Sequence, residues 1–138
     1  MQGLHSLPGF HQMAETIRST GWKVQQYFAA DDYESANPAS ISWNLNLKQV
    51  RLLQLNANTT IAFPTHLKRG GTYILFLKQD STGSRTMTWT DQAAALGTGT
   101  WKWSGGSAPT LTTTAGKIYV LSFVSDGTHM FGSSVLNF

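Results

Sequence analysis

The 138-residue sequence contains no cysteine, which excludes disulfide bonds, a thiol nucleophile and thiolate metal ligands. It is also poor in charge, because only 12% of its residues are Asp, Glu, Lys or Arg. No apolar run approaches the roughly 18–20 residues that a membrane-spanning helix needs, so we predict no membrane partner. The 41% hydrophobic content is too high for a disordered chain. This length suits one folded domain, since a single core commonly serves about 100–150 residues.

The few charges give no sign of a nucleic-acid partner. Ten basic residues stand against seven acidic ones, for a formal net charge of +3. The basic residues are scattered along the sequence, and only Lys68 and Arg69 are adjacent. Proteins that bind nucleic acid usually concentrate positive charge on one face or along one helix. We therefore predict no nucleic-acid partner.

Short segments with the two-residue period of β-strands recur from about residue 40 onward. Ile41, Trp43, Leu45 and Leu47 alternate with polar residues, which predicts a strand with one buried face. Thr72–Lys78 is almost continuously apolar, which predicts a strand that is buried on both faces. Further strands are predicted at Val50–Leu55, Thr59–Phe63, Arg85–Thr90, Ile118–Val124 and Phe131–Phe138.

Turn-forming residues separate these segments. Asp80–Ser84 predicts a hairpin loop, and Asp126-Gly127 predicts a tight hairpin turn because glycine tolerates a positive φ. Ala93–Leu96 predicts a single helical turn that Gly97 ends. The spacing leaves no room for crossover helices. It predicts an all-β domain over residues 40–138, a β-sandwich or jelly roll of about seven or eight antiparallel strands.

Residues 1–39 differ in character and are predicted to form an N-terminal arm. Phe10, Met13 and Ile17 fit one helical stripe, which favours a short helix over Gly9–Ser19. The residues that follow alternate like a strand, and we predict that they are extended. Such an arm lies either on its own core, which is the default, or on a neighbouring subunit.

No motif in the sequence carries catalytic or metal-binding chemistry. The four histidines are not spaced as metal ligands, and there is no G-x-S-x-G nucleophile elbow. Asp80, Asp91 and Asp126, the acids of the β region, each fall in a predicted turn, where a carboxylate commonly accepts backbone hydrogen bonds. We therefore predict no catalytic residue, no metal or cofactor site and no enzymatic activity.

The tryptophans offer the strongest candidate for a binding function. Trp89, Trp101 and Trp103 fall in one stretch, beside the glycine- and serine-rich loop at 104–107. If they are exposed, their rings could stack on sugars or on a partner surface. If they are buried, they belong to the core or to a subunit interface. The buried interpretation is favoured, because large aromatic side chains mostly lie inside proteins.

The region from Ser40 to Phe138 resembles a module that recurs in bacteriophage virion proteins, notably tail-fibre C-terminal regions and small capsid-associated proteins. The resemblance implies a β-sandwich with a structural, non-enzymatic role. Two features depart from it: Asp91–Gly99 looks like an insertion, and residues 1–39 lie outside it. The segments that carry the resemblance are Phe63–Gly70, Gln79–Trp89, Trp103–Leu111, Leu121–Phe123 and Asp126–Thr128.

The first functional hypothesis that this resemblance supports is a capsid cement, or decoration, protein. It implies a homotrimer on the capsid surface of the virion, assembled in the host cytoplasm, with the major capsid protein as its partner. Residues 1–39 would contact neighbouring subunits and add buried area. A stable interface buries roughly 1,200–2,000 Å² in total, and a small domain can reach this by spreading its contacts over several neighbours. The candidate interface residues are Phe10, Met13, Ile17, Trp22, Trp101 and Trp103.

Two alternatives remain open. The first is a tail-fibre or receptor-binding module that uses Trp101 and Trp103 to recognise a host-surface glycan. The second is a hydrolase that degrades cell wall or polysaccharide, against which the missing acid–base pair argues.

Overall fold

The computed structural model describes residues 32–36, 39–135 and 138 of the chain. The predicted helix over Gly9–Ser19 and the candidate interface residues Phe10, Met13, Ile17 and Trp22 lie outside this part. The described part contains no helix long and apolar enough to cross a membrane. It forms nine strands and one 3₁₀ turn: β1 (Glu34–Ser35), β2 (Ser40–Ile41), β3 (Val50–Leu55), β4 (Thr59–Ile61), β5 (Arg69–Gln79), β6 (Met87–Trp89), β7 (Trp101–Trp103), the 3₁₀ turn (Ser104–Gly106), β8 (Ile118–Asp126) and β9 (Met130–Val135).

The strands form one six-stranded sheet and one three-stranded sheet. The larger sheet has the order β1-β3-β5-β8-β9-β7, and the smaller one has the order β2-β4-β6. In the larger sheet β1, β3 and β5 run parallel, β8 is antiparallel to β5 and to β9, and β7 is parallel to β9. All pairs of the smaller sheet are parallel. The predicted all-β class is therefore confirmed.

The path of the chain explains why so many neighbouring strands are parallel. From β1 to β6 the chain alternates strand by strand between the two sheets. Two parallel strands that are neighbours in a sheet need a connection of a dozen or more residues, which is usually a helix. Between β1 and β6 each such connection contains a strand of the other sheet. The predicted antiparallel arrangement is wrong for these strands, and a jelly roll is not confirmed.

The two predicted hairpins have different outcomes. β8 and β9 form an antiparallel hairpin around Asp126-Gly127, and Gly127 has a φ of 94° there, as the turn requires. The hairpin predicted at Asp80–Ser84 is wrong, because β5 and β6 belong to different sheets. Asp80 still shapes this loop, since its Oδ1 accepts hydrogen bonds from the backbone N–H groups of Thr82 and Gly83.

Two predictions about individual strands also need correction. The segment from Ile41 to Leu47 does not continue as a strand, because the N–H groups of Leu47 and Lys48 turn back to the carbonyl of Asn44. Leu47 is exposed as a result. β5 is not fully buried on both faces: one face lies in the core, whereas its opposite residues, such as Phe76, are only half-buried.

Both sheets contribute side chains to one hydrophobic core. Leu53, Leu75 and Leu121 come from the larger sheet, and Ile61 comes from the smaller one. All four are fully buried. Residues 32–36 belong to the same unit, since β1 pairs with β3 and the carboxylate of Glu34 forms ion pairs with Lys48 and Arg51.

Candidate functional site

Three tryptophans meet where the two sheets pack against each other. Trp89 of β6 lies edge-on against Trp101 and Trp103 of β7, with ring centroids 4.9 and 4.8 Å away. The rings of Trp101 and Trp103 stack at 6.2 Å with an interplanar angle of 14°. Phe123 of β8 contacts all three rings. This aromatic cluster joins the smaller sheet to the larger one.

Trp101 is held inside this cluster by both of its N–H groups. Its backbone N–H donates to Asp91 Oδ1 at 2.9 Å, and its indole Nε1–H donates to the carbonyl of Thr90 at 2.9 Å. The residue is 7% exposed, so its ring is not available to stack on a sugar. Trp103 is half-buried and lines a shallow hollow with Val124 and Phe131.

Beside the aromatic cluster, three loops enclose an open groove of about 770 Å³, which we call the loop groove. Residues 62–67 precede β5, residues 90–98 precede β7, and residues 127–128 belong to the β8–β9 turn. Phe63 and Pro64 form part of its apolar lining, and Leu96 is 77% exposed to solvent at its side. An apolar surface in a concave site is typical of ligand-binding pockets.

The three loops are held together behind the groove at Gly99. A Cβ atom at this position would lie within 3.0 Å of Phe63, of the Thr128 carbonyl and of Gln92. Gln92 Oε1 accepts a hydrogen bond from the Gly99 N–H at 2.9 Å, and the Gln92 N–H donates to the Gly99 carbonyl at 2.9 Å. The groove therefore depends on a close approach that only a residue without a side chain permits.

The segment that looks like an insertion supplies one wall of the groove. The N–H of Gly97 donates to the carbonyl of Ala93 at 3.2 Å, so the predicted single helical turn over Ala93–Leu96 is confirmed. This turn carries Leu96 outward. The sequence identified Asp91–Gly99 as an apparent insertion. It gave no indication that this segment lies across the groove from residues 62–67.

Polar groups stand next to the apolar lining. Asp91, Gln92 and the threonines at 65, 98 and 128 all line the groove. His66 is exposed at its rim in the left-handed backbone region, with a φ of 65°, and its Nδ1 lies 3.1 Å from Thr65 Oγ1. Strained backbone of this kind is concentrated at functional sites in proteins. The groove thus presents a carboxylate, an amide, an imidazole and hydroxyls to a ligand.

The described acids of the β region have structural roles, as predicted. Hydrogen bonds hold Asp80 and Asp126 in place, and they lower the pKa of both carboxyl groups below the ordinary value. For Asp80 the largest cause is the side chain of Arg85, and for Asp126 it is the backbone N–H of His129. Asp91 Oδ1 accepts from the N–H of Trp101, which is ten residues away and outside its own turn. No group of three or more metal-ligating side chains occurs within residues 32–36, 39–135 and 138.

These features define a β-structured module in which three loops form an open groove and Trp101 is buried in the core. The chain belongs to the family described as "Putative phage tail fibre C-terminal domain", whose model matches residues 40–130, roughly two thirds of the sequence. It is therefore a phage structural protein and a component of the virion, as the resemblance implied. Neither the curated proteins nor the solved structures give a match.

Proposed function

We propose that this chain is a receptor-binding module of a phage tail fibre and that it recognises a host-surface glycan through the loop groove. The observation that carries the proposal is the groove itself, in a chain whose family is that of a tail-fibre C-terminal domain. The loops that form the groove are presented by a rigid β scaffold, which is where binding residues are commonly found in proteins.

The chemistry of the groove suits a saccharide. A sugar ring has apolar C–H faces and a rim of hydroxyl groups. Leu96 and Ala62 offer exposed apolar surface to such faces, while Asp91, Gln92 and His66 offer hydrogen-bonding groups to the hydroxyls. Sites of this kind fix the orientation of a ligand with a few polar groups on a mainly apolar lining.

The tail-fibre hypothesis replaces capsid cement as the leading one. The family match favours a tail location and gives no support to the capsid surface or to the major capsid protein as a partner. Within the proposal the chain acts by binding alone and leaves the glycan chemically unchanged. The residues that we expect to contact the glycan are those of the loop groove, in place of Trp101 and Trp103.

The test measures binding of purified protein to a panel of bacterial lipopolysaccharides and capsular polysaccharides by saturation-transfer NMR and a biosensor. Leu96→Ala and His66→Ala should each weaken binding about tenfold, the scale of an important contact residue. The Leu96 side chain is exposed, so Leu96→Ala should keep the wild-type melting temperature. His66 has a positive φ that alanine adopts less readily, so circular dichroism checks that His66→Ala is folded before its binding is compared.

Leu47→Ala is the matched control, because this leucine is also exposed but lies outside the groove. Its binding should equal that of the wild-type protein. Absence of binding to every polysaccharide, or equal binding by Leu96→Ala and the wild-type protein, would refute the proposal. Release of shortened saccharides would show that the chain is an enzyme.

A further inference from the structure

The charge inside the loop groove comes from one carboxylate. Among the described residues that line the groove, Asp91 and His66 alone have ionisable side chains, and none is a lysine or an arginine. Asp91 is exposed, and no basic residue of the described part of the chain forms an ion pair with it. A ligand in the groove therefore meets a negative charge that no neighbouring base neutralises.

The carboxylate of Asp91 is held in a fixed orientation. Its Oδ1 accepts the backbone N–H of Trp101 at 2.9 Å, and the buried tryptophan is itself anchored through its indole N–H. Within the described part of the chain, Oδ2 accepts no hydrogen bond and is left for a ligand. A carboxylate oxygen accepts hydrogen bonds and donates none, so it selects a ligand group that donates.

Gln92, the next residue, supplies a donor beside this acceptor. Its Oε1 accepts the N–H of Gly99 at 2.9 Å, which fixes the orientation of the amide. Its Nε2 makes no hydrogen bond to the described residues and can donate to a ligand oxygen. Sugar hydroxyls both donate and accept, so two neighbouring hydroxyls satisfy Asp91 and Gln92 together. An acidic group on the sugar could bond only to the amide, and the Asp91 carboxylate would repel it.

The basic residues nearest to the groove do not reverse this charge. Lys68 and Arg69 are exposed and follow the lining residue Leu67, but neither of them lines the groove. Arg69 lies opposite Asp126 in the register of β5 and β8, so its positive charge is accompanied by that of an acid. The groove itself keeps the negative charge of Asp91.

Given that the groove binds a host-surface glycan, as proposed above, we propose that it selects a neutral saccharide. The bound sugars carry no carboxylate, phosphate or sulfate group. Asp91 acts as a specificity residue in two ways, because it accepts hydrogen bonds from hydroxyls and repels acidic sugars. Two like charges about 4 Å apart at a protein surface change an affinity by about tenfold or more.

The test uses the full chain and two chemical forms of one polysaccharide. The panel of lipopolysaccharides and capsular polysaccharides is divided into neutral and acidic members, and those that bind should be neutral. A neutral polysaccharide that binds is then oxidised at its C6 hydroxyl groups, which converts CH₂OH to carboxylate. A biosensor compares both forms at about pH 8, well above the ordinary pKa of histidine of about 6.5.

The wild-type protein should bind the neutral form at least about tenfold more tightly than the oxidised form. An increase in salt from about 0.05 M to about 0.5 M should reduce this ratio of affinities, because salt screens repulsion between exposed charges. A steric cause would give a ratio that does not depend on salt.

Asp91→Asn removes the charge and keeps an oxygen that can accept the N–H of Trp101. It should reduce the ratio of affinities to less than about threefold, and circular dichroism checks that the variant is folded. Asp32→Asn is the matched control. Asp32 is also exposed, its Oδ1 also accepts one backbone N–H, that of Tyr33, and it lies outside the groove. This variant should keep the wild-type ratio.

The outcomes separate this inference from the proposed function. If the wild-type protein binds the oxidised form as tightly as the neutral form, or if folded Asp91→Asn keeps the wild-type ratio, neutral selection by Asp91 is wrong and glycan binding stands. A ratio that does not change with salt would also overturn the inference. Absence of binding to every polysaccharide would refute the proposed function and this inference together.

Discussion

At the scale of single residues, Gln79 shows how one buried amide determines the path of the chain. It ends β5, and its side chain is almost completely buried. Its Nε2 donates to the carbonyls of Arg85 and Thr112 at 2.8 and 2.9 Å, and its Oε1 accepts from the Arg85 N–H at 2.9 Å. These three bonds tie the loop before β6 and the segment before β8 to the end of β5.

We predict that Gln79→Leu lowers the free energy of unfolding by about 2–4 kcal/mol, because it leaves two carbonyls and one N–H without partners. Chemical denaturation measures the effect. Gln54→Leu is the matched control: Gln54 is half-buried on β3, and within the described part of the chain its Nε2 donates one hydrogen bond, to Asn56 Oδ1. If Gln79→Leu lowers the free energy of unfolding no more than Gln54→Leu does, this account is wrong.

At the scale of elements, the β8–β9 hairpin is closed by one carboxylate. Asp126 Oδ1 accepts hydrogen bonds from the N–H groups of Thr128 at 2.8 Å and His129 at 2.7 Å. The bond from His129 is the main reason why the pKa of Asp126 lies below its ordinary value. The same turn forms one wall of the loop groove through Gly127 and Thr128. The charge state of this carboxyl therefore affects both the hairpin and the groove.

The lowered pKa predicts how stability changes with pH. A carboxyl group with a lower pKa in the folded state stabilises the fold above its unfolded pKa of about 3.9, and this contribution is lost as the pH falls through the folded pKa. We therefore expect the melting temperature of the wild-type protein to fall below about pH 4, and that of Asp126→Asn to fall less steeply. Thr128→Ala keeps the carboxylate and its backbone bonds, so its melting temperature should fall with pH as steeply as that of the wild-type protein. An equally steep fall of the melting temperature for Asp126→Asn and the wild-type protein would contradict the prediction.

At the scale of the whole molecule, the loop groove and the β8–β9 ribbon, which carries the exposed side chains of Val124, Phe131 and Val135, are separate surfaces. None of the residues that line the groove is among the exposed apolar residues of the β8–β9 ribbon.

This separation predicts that Val124→Lys leaves the affinity of the groove unchanged, because Val124 does not line it. A soluble saccharide fragment should bind the variant and the wild-type protein equally, and a biosensor measures both affinities. A tenfold weaker affinity of the variant would show that the lysine disturbs the groove.

Local chemistry made part of this structure predictable. The hairpin at Asp126-Gly127 and the helical turn at Ala93–Leu96 both formed where the sequence indicated them. Each depends on hydrogen bonds between residues that are at most four positions apart, and on a glycine at or after the turn. The strand predicted at Ile118–Val124 likewise forms, as part of β8.

Pairing between distant segments was not predictable in the same way. Asp80–Ser84 has the composition of a hairpin loop, but the chain leaves it for the other sheet because Gln79 holds the loop against Thr112. Trp101 and Leu96 lie in the same stretch, yet the tryptophan is buried and the leucine is exposed. Trp101 is buried because Phe63 and Phe123, which are far away in the sequence, pack against its ring.

The sequence by itself determined the β class, the local turns and the phage family of the chain, because composition, short-range hydrogen bonding and motifs are properties of neighbouring residues. Only the tertiary structure decided that neighbouring strands are largely parallel, that Gly99 brings three loops together into a groove, and that Trp101 is buried while Leu96 is exposed. These features arise largely from distances between segments that are far apart in the sequence, and such distances become defined only when the core packs.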